Sequence, residues 1–281
     1  MKLDPRITPL RDGVASRALE GVEPAEVYVD PNPMVCAAPA AGVHREPSAA
    51  SEQLDQLLFG ETFQALEEEA GGWVWGQAPR DGYVGFVEAA RLAPIGPAPT
   101  HRISAIRTYA FEGPSIKARA LGPYSINSLV RVEAQEGRLS QVAGAGWMPI
   151  EHLAPIGVFE ADPVAVAERF LGAPYLWGGR ESLGCDCSGL VQQAFLACGR
   201  ACPRDTDQQE RLGHEIGRQA FGRGDLVFWK GHMAMGFDAV RIIHANGHHM
   251  ATALEPLDEA IARIEAAGYG PPTSFRRLPP L

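Results

Sequence analysis

Asp186-Cys187-Ser188-Gly189 sets one cysteine among small polar neighbours, directly ahead of Leu190, Val191, Ala194, Phe195 and Cys198, an apolar face of helical period. A thiol of ordinary pKa is mostly protonated at neutral pH, so a nucleophilic cysteine needs activation. A helix N-terminus supplies part of it through the macrodipole and free backbone N–H groups, and an imidazole can take the proton. The same N–H groups would face an oxyanion developing on a substrate carbonyl. His232 follows the Lys230-Gly231 turn and heads an apolar run, which suits a general base. His244 closes the next run, where it could bond the far nitrogen of His232 and hold its tautomer. Together these residues predict a cysteine hydrolase. Singly, each histidine reads as a half-buried strand residue, and a lone cysteine as a core thiol, although Gly184, Asp186, Ser188 and Gly189 make a poor core. His244, His248 and His249 offer a rival metal cluster. Asn246-Gly247 predicts a turn there and no Asp or Glu lies within the cluster, so neither metal nor cofactor is expected.

The elements that must carry these groups are legible in outline. Asp162-Pro163 reads as an N-cap with proline at the first helical position, opening a helix over Val164–Leu171 that Gly172 stops. The cysteine helix ends at Gly199. Strand-like runs follow at Asp225–Trp229, Met233–Phe237 and Val240–His244, then a helix over Leu257–Ala267. Helices first and strands afterwards is an α+β order. Upstream, Leu92-Ala93-Pro94-Ile95-Gly96 recurs as Leu153-Ala154-Pro155-Ile156-Gly157, each copy closing a region of short alternating runs. That echo predicts two small all-β barrels of roughly 60 residues. The expected layout is an N-terminal arm over 1–33, barrels over 34–97 and 98–158, and an α+β domain over 159–281.

Composition narrows the function classes. A net charge of −9 disfavours nucleic acid or an anionic membrane surface as partner. The N-terminal residues lack the apolar run of a secretory signal, and no stretch approaches the roughly 20 apolar residues of a membrane span. Five cysteines, with Cys185 and Cys187 too close to bridge each other comfortably, argue against a disulfide framework. The expectation is a cytoplasmic, reduced protein, monomeric or weakly oligomeric.

Beyond these bounds, Pro174-Tyr175-Leu176-Trp177-Gly178-Gly179, Asp186-Cys187-Ser188-Gly189, Pro203-Arg204-Asp205-Thr206, Gly224–Phe228, His232 and Ile243-His244-Ala245 resemble the NlpC-type papain-like peptidases of bacterial peptidoglycan, over about residues 160–281. The resemblance implies Cys187 as nucleophile, His232 as base, His244 as the orienting third residue and a Tyr175 hydroxyl near the oxyanion. The upstream regions look like the bacterial SH3-like barrels of one branch, intracellular γ-D-glutamyl-L-diamino-acid endopeptidases that recycle cell-wall peptides. In that branch the first barrel narrows the cleft and admits only a free N-terminal L-Ala. The implied partner is therefore a murein-derived peptide, L-Ala-γ-D-Glu-(diaminopimelate or Lys). Asp186, Ser188 and Thr206 would contact its amino end, and Glu61 and Tyr83 of the first barrel match the residues that meet the ammonium. A buried ammonium needs carboxylates, which Asp186 and Glu61 would supply. Thr206 stands where serine is common, Cys185 is unusual before the motif, and the loop after His244 departs from the pattern. Rival readings are an exported hydrolase of intact wall, a wall-peptide binding module with little catalysis, and an acyltransferase on the same fold.

Overall fold

The structure, a computed structural model, describes residues 3–280 and divides at Ile156/Gly157 into two compact units. In the N-terminal unit a seven-stranded antiparallel sheet runs, in spatial order, Leu92–Pro94, Asn32–Cys36, Thr62–Glu69, Trp73–Gln77, Val84–Glu88, Ala40–His44 and Gln53–Leu58. It curls around Cys36, Val43, Leu57, Phe63, Val74 and Val87, the inward positions of alternating strands. A five-stranded sheet spanning Arg107–Pro149 and a three-stranded one containing His101–Ile103 enclose a second core of Ile103, Ala110, Tyr124, Val130, Val142 and Met148.

The repeated Leu-Ala-Pro has a common use in both regions. Each copy follows a 3-10 turn (Ala89–Arg91 and Ile150–His152) and forms an outermost strand. The first pairs with Met34–Cys36 and the second with His101–Ile103. Proline has no N–H to give a ladder, so it is tolerated at such an edge.

The two β regions share a plug. Phe59, from the first, packs in the second core edge-to-face with Tyr124 at 5.2 Å. Gly60 beside it has φ +78°, and a Cβ there would lie 1.9 Å from the Leu129 carbonyl oxygen, so only glycine permits the approach. The N-terminal arm forms its own three-stranded sheet, Leu10–Arg11, Val14–Ser16 and Val27–Val29. Arg11 fastens it to the first sheet, pairing with Glu67 and Glu69 and lying over the rings of Trp75 and Phe86 at 5.3 and 4.8 Å.

The C-terminal unit holds helices α1 (Pro163–Glu168), α2 (Cys187–Ala197), α3 (Thr206–Gln209) and α4 (Leu257–Ala266). Besides a two-residue hairpin pairing Arg180–Glu181 with Gly184–Cys185, its strands are β1 (His214–Glu215), β2 (Leu226–Trp229), β3 (His232–Gly236), β4 (Arg241–Asn246), β5 (Ala251–Pro256) and β6 (Ser274–Arg277). They form an antiparallel sheet in the order β1-β6-β2-β3-β4-β5. The architecture is small β barrels followed by a papain-like α+β domain. α1 is shorter than its apolar pattern suggests, while β5 and β6 have no counterpart among the expected strands. Asp162 caps α1, its Oδ1 accepting from Val164 N–H at 2.9 Å. Asp162→Ala is expected to cost about 1 kcal/mol, seen as a Tm lower by a few degrees in a thermal melt.

Among the described residues no helix is long and apolar enough to cross a membrane.

Candidate active site

α2 begins on the cysteine because Asp186 ends the preceding extended segment and caps it: φ −94°, ψ −178°, with Oδ1 accepting from Gly189 N–H at 2.7 Å. Gly189 must lack a side chain, since a Cβ would stand 2.2 Å from the Gly179 carbonyl oxygen. The cap uses the Gly189 N–H and leaves those of Cys187 and Ser188 at the helix mouth, where a carbonyl oxygen could lodge. Nearly the whole of α2 is buried, so the thiol sits on a rigid element.

The thiol of Cys187 lies 3.8 Å from Thr206 Oγ1, at the first residue of α3. Burial pushes it up to about 11 and the adjacent Asp186 adds to the rise, while Thr206 and the backbone N–H groups of Met233 and Ser188 pull it back. Met233 neighbours His232 in the chain, so the first residues of β3 sit beside the helix mouth. His232 is lowered to about 3, by burial first and then by His244 and Arg263, against Glu255. Both shifts favour an uncharged thiol and imidazole. Transfer of the proton between the two groups would leave the net charge of the pair unchanged, which burial penalises less than loss of a proton to solvent.

His232 and His244 meet as their spacing predicts: Nε2 of His232 stands 3.0 Å from Nδ1 of His244. The indole of Trp229, cross-strand from His232, covers its ring at 5.7 Å between centroids. The next partner is not among the residues expected at the site. Nε2 of His244 lies 3.0 Å from Oε2 of Glu255, whose carboxylate also accepts from Arg263 of α4 at 2.7 and 2.9 Å. Burial alone would raise Glu255, but His244 and Arg263 hold it down to about 2. His244 is cross-strand from Ala253, which puts Glu255 on the diagonal of the same face. Only the β4–β5 register reveals this, and the period-2 pattern of β5 is the single sequence clue.

Glu255 also amends the expectation that no acid stands near the histidine cluster. Ligand atoms of His244, His249 and Glu255 lie within 4.8 Å of one another. The carboxylate is already neutralised by Arg263 and both His244 nitrogens are engaged, so the group is built as a hydrogen-bond relay.

The other expected ligands separate into two places. Tyr175 stands close enough to Cys187 and Asp186 that, after burial, their charges push its phenol pKa further up. Ser188 Oγ donates to Asp186 at 3.2 Å and accepts from Arg204 at 2.9 Å. Asp186 does not fit the expectation that it meets the substrate's amino end. Its carboxylate accepts from Gly178 N–H at 2.9 Å, from Gly189 N–H, from Ser188 and from both terminal nitrogens of Arg204, at 3.0 and 2.6 Å. Its lone pairs are filled and its charge is compensated, so it holds the cysteine turn. Glu61 and Tyr83 belong to the N-terminal unit. Glu61 is 1% exposed, pairs with Arg80 at 2.5 Å and accepts from Leu58 N–H at 3.0 Å. Tyr83 is buried, its backbone N–H tied to Asp81 at 3.1 Å.

A buried thiol at a helix mouth, with a histidine pair on the neighbouring sheet, is the arrangement of a papain-like cysteine peptidase. Residues 172–264 match the NlpC/P60 family, and residues 43–92 match the bacterial dipeptidyl-peptidase Sh3 domain, so the chain carries an NlpC/P60 domain with a bacterial SH3 domain ahead of it. NlpC/P60 peptidases are cysteine peptidases. The chain is 29% identical over 188 residues to the γ-D-glutamyl-L-lysine dipeptidyl-peptidase of Bacillus subtilis, covering 62% of this chain and 63% of that one, a little under two thirds. It is 26% identical over 243 residues to dipeptidyl-peptidase 6 of Lysinibacillus sphaericus, covering 78% and 89%. The crystal structure of an NlpC/P60 family protein from Bacillus cereus shares the fold, with a TM-score of 0.73 at 20% identity over 88% of this chain and all of that one.

Proposed function

We propose that the chain is a cysteine endopeptidase that hydrolyses the γ-D-glutamyl–diamino acid bond of peptidoglycan-derived peptides with a free N-terminal L-Ala, acting in the cytoplasm in wall-peptide recycling. The observation that carries the chemistry is the Cys187 thiol at the mouth of α2, beside a β3 that opens with His232, itself bonded to His244 of β4. His232 takes the thiol proton as the sulfur attacks the peptide carbonyl, and the helix-mouth N–H groups receive the oxyanion. His232 then protonates the leaving amine, giving a thioester. Water attacks that thioester, losing a proton to His232, and the acid and free thiol are restored.

The choice of substrate is supported by the names of the two relatives and by the family resemblance of the barrel residues. In this reading Tyr175 serves the oxyanion and Thr206 steadies the thiol, Asp186 and Ser188 are scaffold, and the ammonium role of Glu61 and Tyr83 rests on the family resemblance alone, since Glu61 is already paired with Arg80. The test compares L-Ala-γ-D-Glu-diaminopimelate, the corresponding Lys peptide and their N-acetylated forms by product chromatography. A site that pairs a buried carboxylate with an ammonium should prefer the free amine by about 10²-fold or more. Equal cleavage of both forms would remove Glu61 and Tyr83 from the account. Digestion of intact sacculi in preference to either peptide would move the enzyme to the wall.

A further inference from the structure

Resting on the cysteine-peptidase reading, we propose that Glu255, held by Arg263, is a positioning residue that fixes the proton arrangement of the histidine pair and so decides which nitrogen of His232 is the base. Glu255 is ionised and can only accept, so the Nε2 of His244 facing it at 3.0 Å must carry the hydrogen. A neutral imidazole has one N–H, which makes Nδ1 of His244 an acceptor. The atom it faces, Nε2 of His232, must then donate across their 3.0 Å contact. Neutral His232 is left with its lone pair on Nδ1 alone. When the Cys187 S–H bond breaks and an N–H bond forms, Nδ1 receives the proton. With a group that both donates and accepts in place of Glu255, a hydroxyl or an amide, either tautomer of His244 would be accessible, and the one with its proton on Nδ1 would turn the His232 lone pair toward His244.

The lock is built into three neighbouring strands and a helix. His232 lies on β3, His244 on β4, Glu255 on β5 and Arg263 on α4, and His244 is 1% exposed. The charged and titratable groups that face the pair can be named. Arg263 comes from α4 and Glu255 from β5, both acting on His232, while Asp186 at the start of α2 and Tyr175 ahead of it stand beside Cys187. His249 lies in the turn after β4, its ring 6.3 Å from that of His244, and its Nδ1 is bonded to Asn246 Oδ1 at 3.0 Å. The uncharged Trp229 ring lies beside that of His232.

Glu255 and Arg263 should therefore act on the thiol–imidazole pair with opposite sign. The carboxylate favours every state in which a proton stays on the pair; the guanidinium opposes them. Removing Glu255 should move both macroscopic ionisations of the pair to lower pH, and removing Arg263 should move both to higher pH.

The experiment reads the rate of Cys187 alkylation by iodoacetamide against pH, with the labelled peptide located by mass spectrometry and Cys187→Ala as the blank. It needs no substrate. Glu255→Gln is expected to shift both inflections down, and Arg263→Gln to shift both up, each by about one unit, the scale of one partly screened charge. Glu255→Asp should recover part of the wild-type profile. Histidine 15N resonances of the wild-type protein should show His244 with its proton on Nε2. If the two variants keep the wild-type profile, or shift it in the same direction, Glu255 and Arg263 merely staple α4 to β5 and the inference falls. If Glu255→Gln fails to fold, Arg263→Gln and the wild-type tautomer decide the matter, and a His244 proton on Nδ1 overturns the inference. A single inflection at an ordinary thiol pKa in the wild type would defeat the underlying catalytic reading, and the tautomer measurement would still judge the lock by itself.

Discussion

Cys187→Ala is expected to abolish peptide cleavage, with a fall in kcat on the order of 10⁴- to 10⁶-fold, while the protein keeps its fold. The size follows from the division of labour. In the proposed mechanism the thiol forms the covalent bond to substrate, and the histidine pair has nothing to deprotonate without it. Groups that act as one unit lose most of their effect when any member is removed. Stability should change little, because alanine keeps the backbone of α2 and the Asp186 cap, and the lost sulfur is a small buried group. Turnover of the free-amine tripeptide, set beside a thermal melt, checks both halves. Residual turnover near the wild-type rate with an unchanged Tm would transfer the chemistry to another residue and end the cysteine mechanism.

How much of this site could be read in advance depended on the range of the interaction. The helix start at Cys187 was legible because every contributing signal is local: Asp186 as cap, Gly189 at the close approach, and an apolar face of period 3.6. His232 and His244 were legible because turn residues bracket their strands and the family motifs include them. Glu255 was not, since its contact with His244 depends on a cross-strand register that local pattern does not fix. Arg204 stood in full view within Pro203-Arg204-Asp205-Thr206 and yet carried no assigned role, because an arginine in a loop reads as solvated until the fold buries it. Phe59 is the same lesson in the barrels: it belongs by sequence to the first β region and by packing to the second. What failed to show in the sequence was long-range pairing, above all of charge.

The buried Asp186–Arg204 pair yields the second large effect. Their side chains are 10% and 1% exposed and meet at 2.6 Å. Taking one partner of a buried pair away leaves the other charge desolvated and uncompensated, which costs about 3–5 kcal/mol. Asp186→Ala also removes the cap of α2, so the Tm of the C-terminal unit should drop by roughly 10–20 °C, taking about 3–5 °C per kcal/mol for a unit of this size. Removing both charges should be far milder: Asp186→Ala with Arg204→Met is expected to recover much of the lost stability, because no buried charge is left alone. Such rescue distinguishes a scaffold from a ligand. Were Asp186 there to receive the substrate's ammonium, its loss would raise KM for the free-amine peptide at nearly constant Tm, and Arg204→Met would restore nothing. The five donors gathered around that carboxylate favour the scaffold. The negative charge beside Cys187 is then the cost of a rigid helix mouth. It raises the thiol pKa, and the histidine pair must overcome that rise by taking the proton directly.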